Sequence, residues 1–399
     1  MKYANRYVEN AIQLLQAYDG TVPLAIFLKK YFAQYKKFGS KDRKNIAQLC
    51  YAYFRVGSAA KNIQKEEGIK IALFITNNEP GKWGELFDEN WLTNWTGTIL
   101  QRLAYVESIQ PLFDRQQIFP FDKVLSAEVD STLFSHGHLI QPDLFLRVRS
   151  NKLNKVKASL TNAGIQYHQL TDTTLALPNS TKLNEVIALD TDAVVQDLSS
   201  QKVGALIQKI DRKLLSSPSS FSVWDCCAAS GGKSILAHDI LGSFKLVVSD
   251  IRSAILHNLS QRFERAGLRH YQQFVVDLSN IHLQKNNNIH LPKADLLIAD
   301  VPCSGSGTWS RTPEQLFYFN QQQIAVFQDL QQKIISNIIP SLNKGGYLLF
   351  ITCSVFKQEN EENSAFIQHK FSLQLLEQGI IKGYENKADT MFAALFRRI

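Results

Sequence analysis

The chain has 399 residues, of which 45% are hydrophobic, and a formal net charge of +8 at pH 7. This length gives room for two or three domains, and the hydrophobic content is ample for packed cores. The N-terminal residues show no apolar segment after a basic start, and no apolar run approaches a bilayer-spanning length, so we expect a soluble cytoplasmic protein without a membrane partner. The five cysteines include no C-x-x-C pair and are odd in number, which argues against a disulfide framework and for reduced thiols.

Residues 1–125 are predicted to form a helical domain. Apolar residues recur at helical spacing in VENAIQLLQAY and KNIAQLCYAYFRVGSAA, and GSKDRK is typical of a helix start with Ser40 as the N-cap. Residues 1–60 hold ten Lys or Arg against three Asp or Glu, whereas residues 71–130 hold four against nine. This asymmetry favours RNA as a partner, because basic side chains neutralise phosphates.

Aromatic side chains are interleaved with basic ones in the first of these segments. The aromatic residues are Tyr31, Phe32, Tyr35 and Phe38, and the basic residues are Lys29, Lys30, Lys36, Lys37, Lys41, Arg43 and Lys44. Such a mixture suits a phosphate backbone with occasional base stacking. For any single residue, a solvated helix face with its aromatic side chains in the core is about as good an explanation.

Two further domains are predicted, over residues 126–200 and 201–399. In the smaller one, LFLRVRS is typical of a strand and NKVKASLTNAGI of a helix that ends at Gly164, which indicates an α+β unit. In the larger one, apolar strands such as KLVVSD and QQFVVD alternate with amphipathic helices such as SAILHNLSQRFERAG. This alternation predicts an α/β domain, built as a parallel sheet with helices on both faces. SSPSS (216–220) and QKNNN (284–288) are predicted loops.

A glycine turn follows the first strand of the α/β domain, in FSVWDCCAASGGKS. Gly231 and Gly232 would let a ligand approach the backbone at a helix N-terminus. A P-loop is excluded because Cys227 stands where that motif needs glycine, and the dinucleotide fingerprint G-x-G-x-x-G is absent. Asp250 and Asp277 end the next strands and could accept hydrogen bonds from ribose hydroxyls and an adenine amine, although either one alone could be a helix N-cap. S-adenosylmethionine meets these demands and carries no phosphate.

Two cysteines follow buried-strand signatures, Cys303 in ADLLIADVPCSGSGTW and Cys353 in GGYLLFITCS. Open α/β sheets place their chemistry at strand C-termini. With Asp300 beside the first of them, the pair suggests a nucleophile accompanied by an acid or base. A lone cysteine is more often a small buried hydrophobe, which is how we interpret Cys50 and Cys226.

Several segments resemble successive motifs of the Sun (RsmB-like) family of RNA cytosine C5-methyltransferases. They are DCCAASGGKS, SDIR, VVDLSN, DVPCSGSGTWSRTPE and FITCSVFKQENEENSAFI, with LFLRVRSNKLNKV and VVQDLSSQKVG upstream and ADTMFAALFRR as the last strand. The likeness covers roughly residues 120–399. More weakly, LKKYFAQYKKFGSKDRKNIAQLCYAYFR resembles a NusB-like RNA-binding domain. Two positions depart from the family: Ser230 stands where proline is usual, and Ser234 where threonine is usual.

The resemblance implies a Rossmann-like class I S-adenosylmethionine-dependent methyltransferase domain, preceded by an all-α NusB-like domain and a small α+β domain. It implies that Cys353 is the nucleophile and that Cys303 assists release. By the chemistry of the reaction, Asp300 is placed to give a proton or a strong hydrogen bond to the ring nitrogen of the cytosine. By the chemistry alone, the roles of the two thiols could be exchanged. Lys233 is expected to meet the carboxylate of the cofactor or the target. The candidate cofactor-binding residues are Cys227, Ala228, Ala229, Ser230, Gly231, Gly232, Lys233, Asp250, Asp277 and Asp300.

The expected substrate is RNA, with small-subunit (16S) rRNA favoured and transfer RNA as the main rival. A different class of function, a non-catalytic RNA-binding assembly factor, is disfavoured because binding alone needs neither Cys303 nor Cys353. We expect a monomer. No metal site is predicted, since His136 and His138 lack nearby cysteine or carboxylate ligands.

Overall fold

The structure is a computed structural model that describes residues 2–211, 221–280 and 290–399. The predicted loops at 216–220 and 284–288 therefore lie outside the described residues. The chain divides into two compact units. The first comprises Met1–Lys123, Asp130–Gln141 and Thr308–Gln321, and the second comprises Val124–Val129, Pro142–Gly307 and Gln322–Ile399.

The described residues form α-helices along the whole chain, numbered in chain order. They are α1 (Lys2–Ala17), α2 (Leu24–Gln34), α3 (Ser40–Arg55), α4 (Lys65–Thr76), α5 (Glu89–Asn94), α6 (Ile99–Ile109), α7 (Ser131–His138), α8 (Leu153–Asn162), α9 (Leu198–Lys202), α10 (Gly204–Gln208), α11 (Gly232–Leu241), α12 (Ser253–Ala266), α13 (Pro313–Tyr318), α14 (Gln323–Ile338) and α15 (Glu361–Phe371). The strands are β1 (Leu144–Val148), β2 (His168–Gln169), β3 (Thr174–Leu177), β4 (Ala193–Val195), β5 (Ser222–Asp225), β6 (Lys245–Asp250), β7 (Tyr271–Val275), β8 (Ala294–Asp300), β9 (Leu342–Thr352), β10 (Leu373–Ile381) and β11 (Met391–Arg398).

The first unit contains α1 to α7 and α13, and no strand among its described residues, which confirms the prediction of an all-helical N-terminal region. Its apolar helix faces form one core that includes Cys50. Helix α3 begins at Ser40, and the N-cap is Gly39, whose N–H donates to Asp42 Oδ2 at 3.1 Å. The predicted cap at Ser40 is therefore wrong by one residue, because the acidic side chain inside the first turn satisfies the preceding N–H.

Helix α13 belongs to the helical unit although it lies some 200 residues further along the chain. The buried Glu314 carboxylate accepts the N–H of Leu24 at 3.1 Å, at the start of α2. The Tyr318 hydroxyl donates to the carbonyl of Tyr18 at 2.8 Å, and the two rings pack edge to face. The segment Thr308–Gln321 therefore belongs to the helical unit and not to the α/β unit. The predicted domain boundaries at residues 125 and 200 remain predictions.

The second unit is built on a seven-stranded sheet in the order β10-β11-β9-β8-β5-β6-β7. The five strands from β9 to β7 run parallel, and β11 pairs antiparallel with both of its neighbours. The Rossmann-like α/β class is confirmed, but the sheet is mixed and not wholly parallel. The reason is the short connection between β10 and β11, which lets the chain reverse only into an antiparallel pair.

Helix α12 shows why the hydrophobic pattern predicted this part of the fold. Its buried residues, Leu256, Leu259, Phe263 and Ala266, recur at helical spacing. The helix ends at Gly267, which has a φ of +81°, a left-handed conformation that favours glycine. The helix therefore packs one apolar stripe into the core of the α/β unit.

A smaller antiparallel sheet in the order β2-β3-β1-β4 belongs to the same unit. It contains the predicted strand and helix as β1 and α8, and Gly164 has a φ of +66° just past the helix end. Arg147 and Arg149 on and beside β1 form ion pairs with Asp239 of α11 at 2.5 and 2.7 Å. These ion pairs join the small sheet to the helix that follows the glycine turn.

Candidate active site

The turn between β5 and α11 has a backbone that needs its glycine. Gly231 is the N-cap of α11 with a φ of +80°, and a Cβ there would lie 2.4 Å from the ring of Phe263. Ala229, two residues earlier, also has a positive φ, of +46°. The turn is therefore tightly constrained, and Gly231 is fixed both by its backbone angle and by the packing of α12.

A cavity of about 520 Å³ opens at the carboxyl edge of the sheet. It is lined by Cys226, Cys227, Ala229, Asp250, Ile251, Arg252, Val276, Asp277, Leu278, Ser279, Asp300, Val301, Pro302, Leu330 and Ile334. Five of the predicted cofactor residues therefore meet at one cavity. The other five, Ala228, Ser230, Gly231, Gly232 and Lys233, do not line it, and they form the turn and helix start beside it.

Two carboxylates stand at the strand ends that border this cavity. Asp250 is only 6% exposed, and its Oδ2 accepts the N–H of Ala229 at 3.0 Å, so it braces the turn as well as lining the cavity. Asp277 accepts both the N–H and the hydroxyl of Ser279, at 2.9 and 2.6 Å. Burial alone would raise the pKa of Asp277, but hydrogen bonds from Ser279 and Asn280 outweigh burial and lower it. Asp277 is therefore a charged acceptor.

Lys233 forms a largely buried ion pair with Asp300, with Nζ 2.9 Å from Oδ2. The same ammonium donates to the Ser200 hydroxyl at 2.8 Å. Burial lowers the pKa of Lys233, but the charge of Asp300 and the nearby Cys353 thiol raise it more, so the net shift is upward. Lys233 is thus a fixed positive charge directed at Asp300. Ser200 lies in the segment VVQDLSSQKVG, but its position there did not indicate this contact.

The two strand-end thiols lie side by side. The Cys353 N–H donates to Cys303 Sγ at 3.3 Å, and both side chains are half-buried. The pKa of Cys353 is raised well above its ordinary value, first by the hydrogen bond to the Cys303 thiol, then by burial and by the charge of Asp300. Lys233 acts in the opposite direction. The Cys353 thiol is therefore subject to a cation that stabilises its thiolate and to a carboxylate that destabilises it.

The remaining cysteines differ in their surroundings. Cys50 and Cys226 are fully buried, as expected for packing residues, although Cys226 also borders the cavity. Cys227 lines the cavity, and burial raises the pKa of its thiol.

Sequence analysis also missed a buried carboxylate behind the thiols. Glu359 is fully buried. Its Oε2 accepts the N–H of Ser304 at 2.9 Å, and its Oε1 accepts the hydroxyl of Ser354 at 2.7 Å. These serines directly follow the two cysteines in the chain, so Glu359 ties together the loops that carry them. The residue lies in the motif FKQENEENSAFI, yet nothing in its spacing indicated this contact.

A second missed carboxylate, Asp225, ends β5 and is fully buried. Burial raises its pKa to about 7, against the lowering effect of a hydrogen bond from Ser234. The Ser234 hydroxyl donates to Asp225 Oδ2 at 2.6 Å. Serine at position 234 thus supplies the hydroxyl that the usual threonine would also carry, which explains why this departure is tolerated.

The family model described as 16S rRNA methyltransferase RsmB/F matches residues 213–395. This part of the chain is similar to the methyltransferase domains of the Sun/RsmB-like family. The resemblance that the sequence motifs indicated is thereby confirmed, whereas the NusB-like character of the helical unit remains a prediction.

Curated relatives agree with this assignment. The chain is 28% identical to a probable ribosomal RNA small subunit methyltransferase B of Synechocystis sp. over 319 residues, which are 77% of this chain and 60% of that protein. It is 28% identical to the protein of the same description in Bacillus subtilis (strain 168), over 58% of this chain and 50% of that protein. The chain thus spans at most 60% of the length of these two relatives.

Two solved structures share the fold. The crystal structure of PH0851 covers 99% of this chain and 98% of its own, with a TM-score of 0.65 at 16% identity. The structure titled NSun6 from Pyrococcus horikoshii with SFG covers 64% of this chain and 91% of its own, with a TM-score of 0.53 at 14% identity. Within the described residues, no helix combines the length and apolarity needed to cross a membrane.

Proposed function

We propose that this protein transfers a methyl group from S-adenosylmethionine to carbon 5 of a cytosine in RNA, through a covalent cysteine adduct. The observation that carries the proposal is the pair of adjacent thiols, Cys303 and Cys353, next to the Lys233–Asp300 ion pair. A methyltransferase that acts on an already nucleophilic atom needs no thiol. Carbon 5 of cytosine does need one, because addition of a thiolate at carbon 6 turns the ring into an enamine.

The residues of the chain divide the work. The Cys353 thiol gives its proton to the Asp300 carboxylate as its sulfur forms the bond to carbon 6, and Asp300 passes that proton to the ring nitrogen that gains electron density. The cofactor supplies an electrophilic methyl group on a sulfonium. After carbon 5 has taken the methyl group, a base removes its proton, and the electron pair of that C–H bond expels the Cys353 thiolate. Cys303 lies against Cys353 and is the group that assists this release.

The cavity at the strand ends is the proposed site of S-adenosylmethionine. Its carboxylates are acceptors for hydroxyl and amine donors of a nucleoside, and its apolar lining, which includes Ile251 and Leu278, suits an adenine ring. These features, together with the similarity to a methyltransferase family, support S-adenosylmethionine as the ligand of this cavity. The proposed binding residues remain those that the sequence singled out, from Cys227 to Lys233 and at the three strand-end carboxylates.

Replacement of Asp250 by Ala is expected to weaken S-adenosylmethionine binding about ten- to a hundredfold, because one charge-assisted hydrogen bond is worth about 1.5–3 kcal/mol. The upper end is expected, since the Ala229 N–H loses its acceptor as well. Calorimetric titration measures the effect. Glu264→Ala, which removes an exposed carboxylate from α12, is the matched control. An unchanged affinity in Asp250→Ala would disprove the assignment of this carboxylate to the cofactor.

The proposed RNA is small-subunit rRNA, in line with the names of the curated relatives. Bisulfite sequencing of rRNA and tRNA from a strain that lacks the gene tests this choice. Loss of one 5-methylcytosine from 16S rRNA, restored by the wild-type gene and not by Cys353→Ala, supports both the substrate and the chemistry. Loss of a 5-methylcytosine from a tRNA would show that the substrate is tRNA, and the proposed reaction would stand. Restoration by Cys353→Ala would favour a non-catalytic RNA-binding role.

The basic segment of the helical unit is the proposed contact to the RNA backbone. Lys36, Lys37 and Lys44 are exposed. Phe32 and Phe38 are core residues and are therefore not available for base stacking. Two aromatic residues remain for stacking, Tyr31 and Tyr35, whose ring centroids lie 4.5 Å apart.

Replacing Lys36, Lys37 and Lys44 together by Ala is expected to flatten the salt dependence of RNA binding. The slope of log affinity against log salt should fall by up to about 0.7–0.9 for each lost phosphate contact, because fewer counterions are released. Filter binding at several salt concentrations gives the slope. Lys344→Ala removes an exposed lysine of the α/β unit and serves as control. A slope identical to the wild type would show that the segment is only a solvated face.

A further inference from the structure

The hydroxyl of Ser230 attaches the turn between β5 and α11, named the cofactor turn below, to helix α12. Its Oγ accepts a hydrogen bond from Arg262 Nη1 at 2.8 Å, and the Ser230 carbonyl accepts from the same nitrogen at 3.1 Å. The backbone N–H of Ser230 donates no hydrogen bond within the described part of the chain. Ser230 is therefore attached to Arg262 through its hydroxyl and its carbonyl, and not through its backbone N–H.

Arg262 is itself held on its other side by Asp190. Its Nε and Nη2 both donate to Asp190 Oδ1 at 3.0 Å. Asp190 is 4% exposed and lies between β3 and β4, in the small sheet's part of the chain. The second carboxylate oxygen accepts from Arg265 at 2.8 and 3.1 Å. A planar guanidinium with fixed donors on two edges is well suited to hold two partners at a set distance.

The turn needs such an attachment because of its backbone angles. Ser230 lies between Ala229 and Gly231, both of which have positive φ. A non-glycine residue in the left-handed region is disfavoured and persists only where its surroundings hold it. The Asp250 carboxylate accepts the Ala229 N–H, and Arg262 donates to the hydroxyl and carbonyl of Ser230. The two contacts together fix the backbone of the turn.

We propose that Arg262 and Asp190 are positioning residues that fix the conformation of the cofactor turn through the Ser230 hydroxyl. In the related sequences, the usual proline at this position would restrict the backbone through its ring. Here the restriction comes from a side-chain hydrogen bond across to α12. This inference rests on the proposed binding of S-adenosylmethionine beside the turn, and it adds two residues, Arg262 and Asp190, that act on the affinity without touching the reacting atoms.

The test is titration of the full chain with S-adenosylmethionine. Ser230→Ala and Arg262→Lys are each expected to raise the dissociation constant about five- to fiftyfold, as for the loss of one charge-assisted hydrogen bond. The double variant should bind no more weakly than Arg262→Lys alone, because both changes break the same contact. Arg265→Lys is the matched control, since Arg265 binds the same Asp190 but does not contact the turn.

Ser230→Pro separates positioning from a merely structural role. Because the Ser230 N–H is not used, proline costs no hydrogen bond, and its ring should keep the affinity within about threefold of the wild type. In steady-state assays, Ser230→Ala should raise KM for S-adenosylmethionine and leave kcat nearly unchanged. Equal affinities for the wild type, Ser230→Ala and Arg262→Lys would overturn this inference while leaving the proposed function intact. A wild-type protein that does not bind S-adenosylmethionine would overturn both.

Discussion

Cys353→Ala is expected to abolish methyl transfer and to form no covalent complex with RNA. The reason is that the proposed nucleophile is removed, so carbon 5 of cytosine is never activated. S-adenosylmethionine affinity should stay nearly unchanged, because Cys353 is not among the residues that line the cofactor cavity. Incorporation of labelled methyl groups into RNA and calorimetric titration measure these two properties independently.

Cys303→Ala is expected to give the opposite signature, with covalent protein–RNA complexes that accumulate. The nucleophile is still present, but the group that assists its release is missing. The substitution also removes the hydrogen bond that contributes most to the raised pKa of Cys353. A lower pKa means more thiolate at neutral pH, so attack on carbon 6 should be at least as fast as in the wild type.

Denaturing electrophoresis of both variants with RNA and S-adenosylmethionine distinguishes the two roles on one gel. Cys50→Ala removes a buried thiol of the helical unit and should show neither signature. If Cys353→Ala traps RNA and Cys303→Ala is inert without an adduct, the roles of the two thiols are exchanged. If neither substitution changes turnover, the covalent mechanism is wrong.

The positions of the two thiols could be predicted because strand ends are visible in the sequence. Residues 296–299 and 347–351 are apolar, and Cys303 and Cys353 follow them within a few residues. Parallel strands end at the same edge of a sheet, so residues just past them come together whatever the rest of the fold does. The carboxylates Asp250 and Asp300 were found by the same argument.

The partners of these residues could not be predicted in the same way, since they depend on which strands are neighbours. Lys233 was expected to meet a carboxylate of the cofactor or target, and in the structure it meets Asp300 because β5 lies beside β8. From the preceding part of the chain, Ser200 contacts Lys233 and Asp190 contacts Arg262 of α12. Such contacts join residues far apart in sequence, so the local hydrophobic pattern does not predict them.

Two features of the fold were unpredictable for a similar reason. Strand β11 inserts between β10 and β9, and the sequence shows a strand there without showing its direction. The segment Thr308–Gln321 looks in sequence like a continuation of the DVPC motif, but its aromatic residues pack in the helical unit, where Phe317 lies 5.3 Å from Phe54 between ring centroids. Aromatic side chains mark burial, and they do not say against which part of the chain.

Lys233→Met and Asp300→Asn are both expected to reduce methyl transfer strongly, on the order of 10²-fold or more, because each removes a charge placed beside the reacting atoms. Loss of activity alone does not distinguish the two variants, but their effects on the pKa of the Cys353 thiol do. Lys233 lowers the pKa of Cys353 and Asp300 raises it, so the two substitutions should shift that pKa in opposite directions.

The sign follows from the charge of each group. A cation stabilises the thiolate, so Lys233→Met raises the pKa of Cys353 further and moves thiolate formation to higher pH. A carboxylate destabilises the thiolate, so Asp300→Asn lowers the pKa and moves thiolate formation to lower pH. In the wild-type protein, where the pKa is already well above its ordinary value, the reactivity of Cys353 should still be rising at alkaline pH.

Alkylation by iodoacetamide as a function of pH reports the thiolate without any catalytic turnover. Mass spectrometry of the peptide that contains Cys353 keeps its signal separate from those of Cys227 and Cys303. The Lys233→Met profile should lie at higher pH than the wild-type profile, and the Asp300→Asn profile at lower pH, with thermal melting confirming that both variants are folded. Profiles displaced in the same direction would show that the ion pair acts on Cys353 through structure and not through charge, and the electrostatic account of this nucleophile would then be wrong.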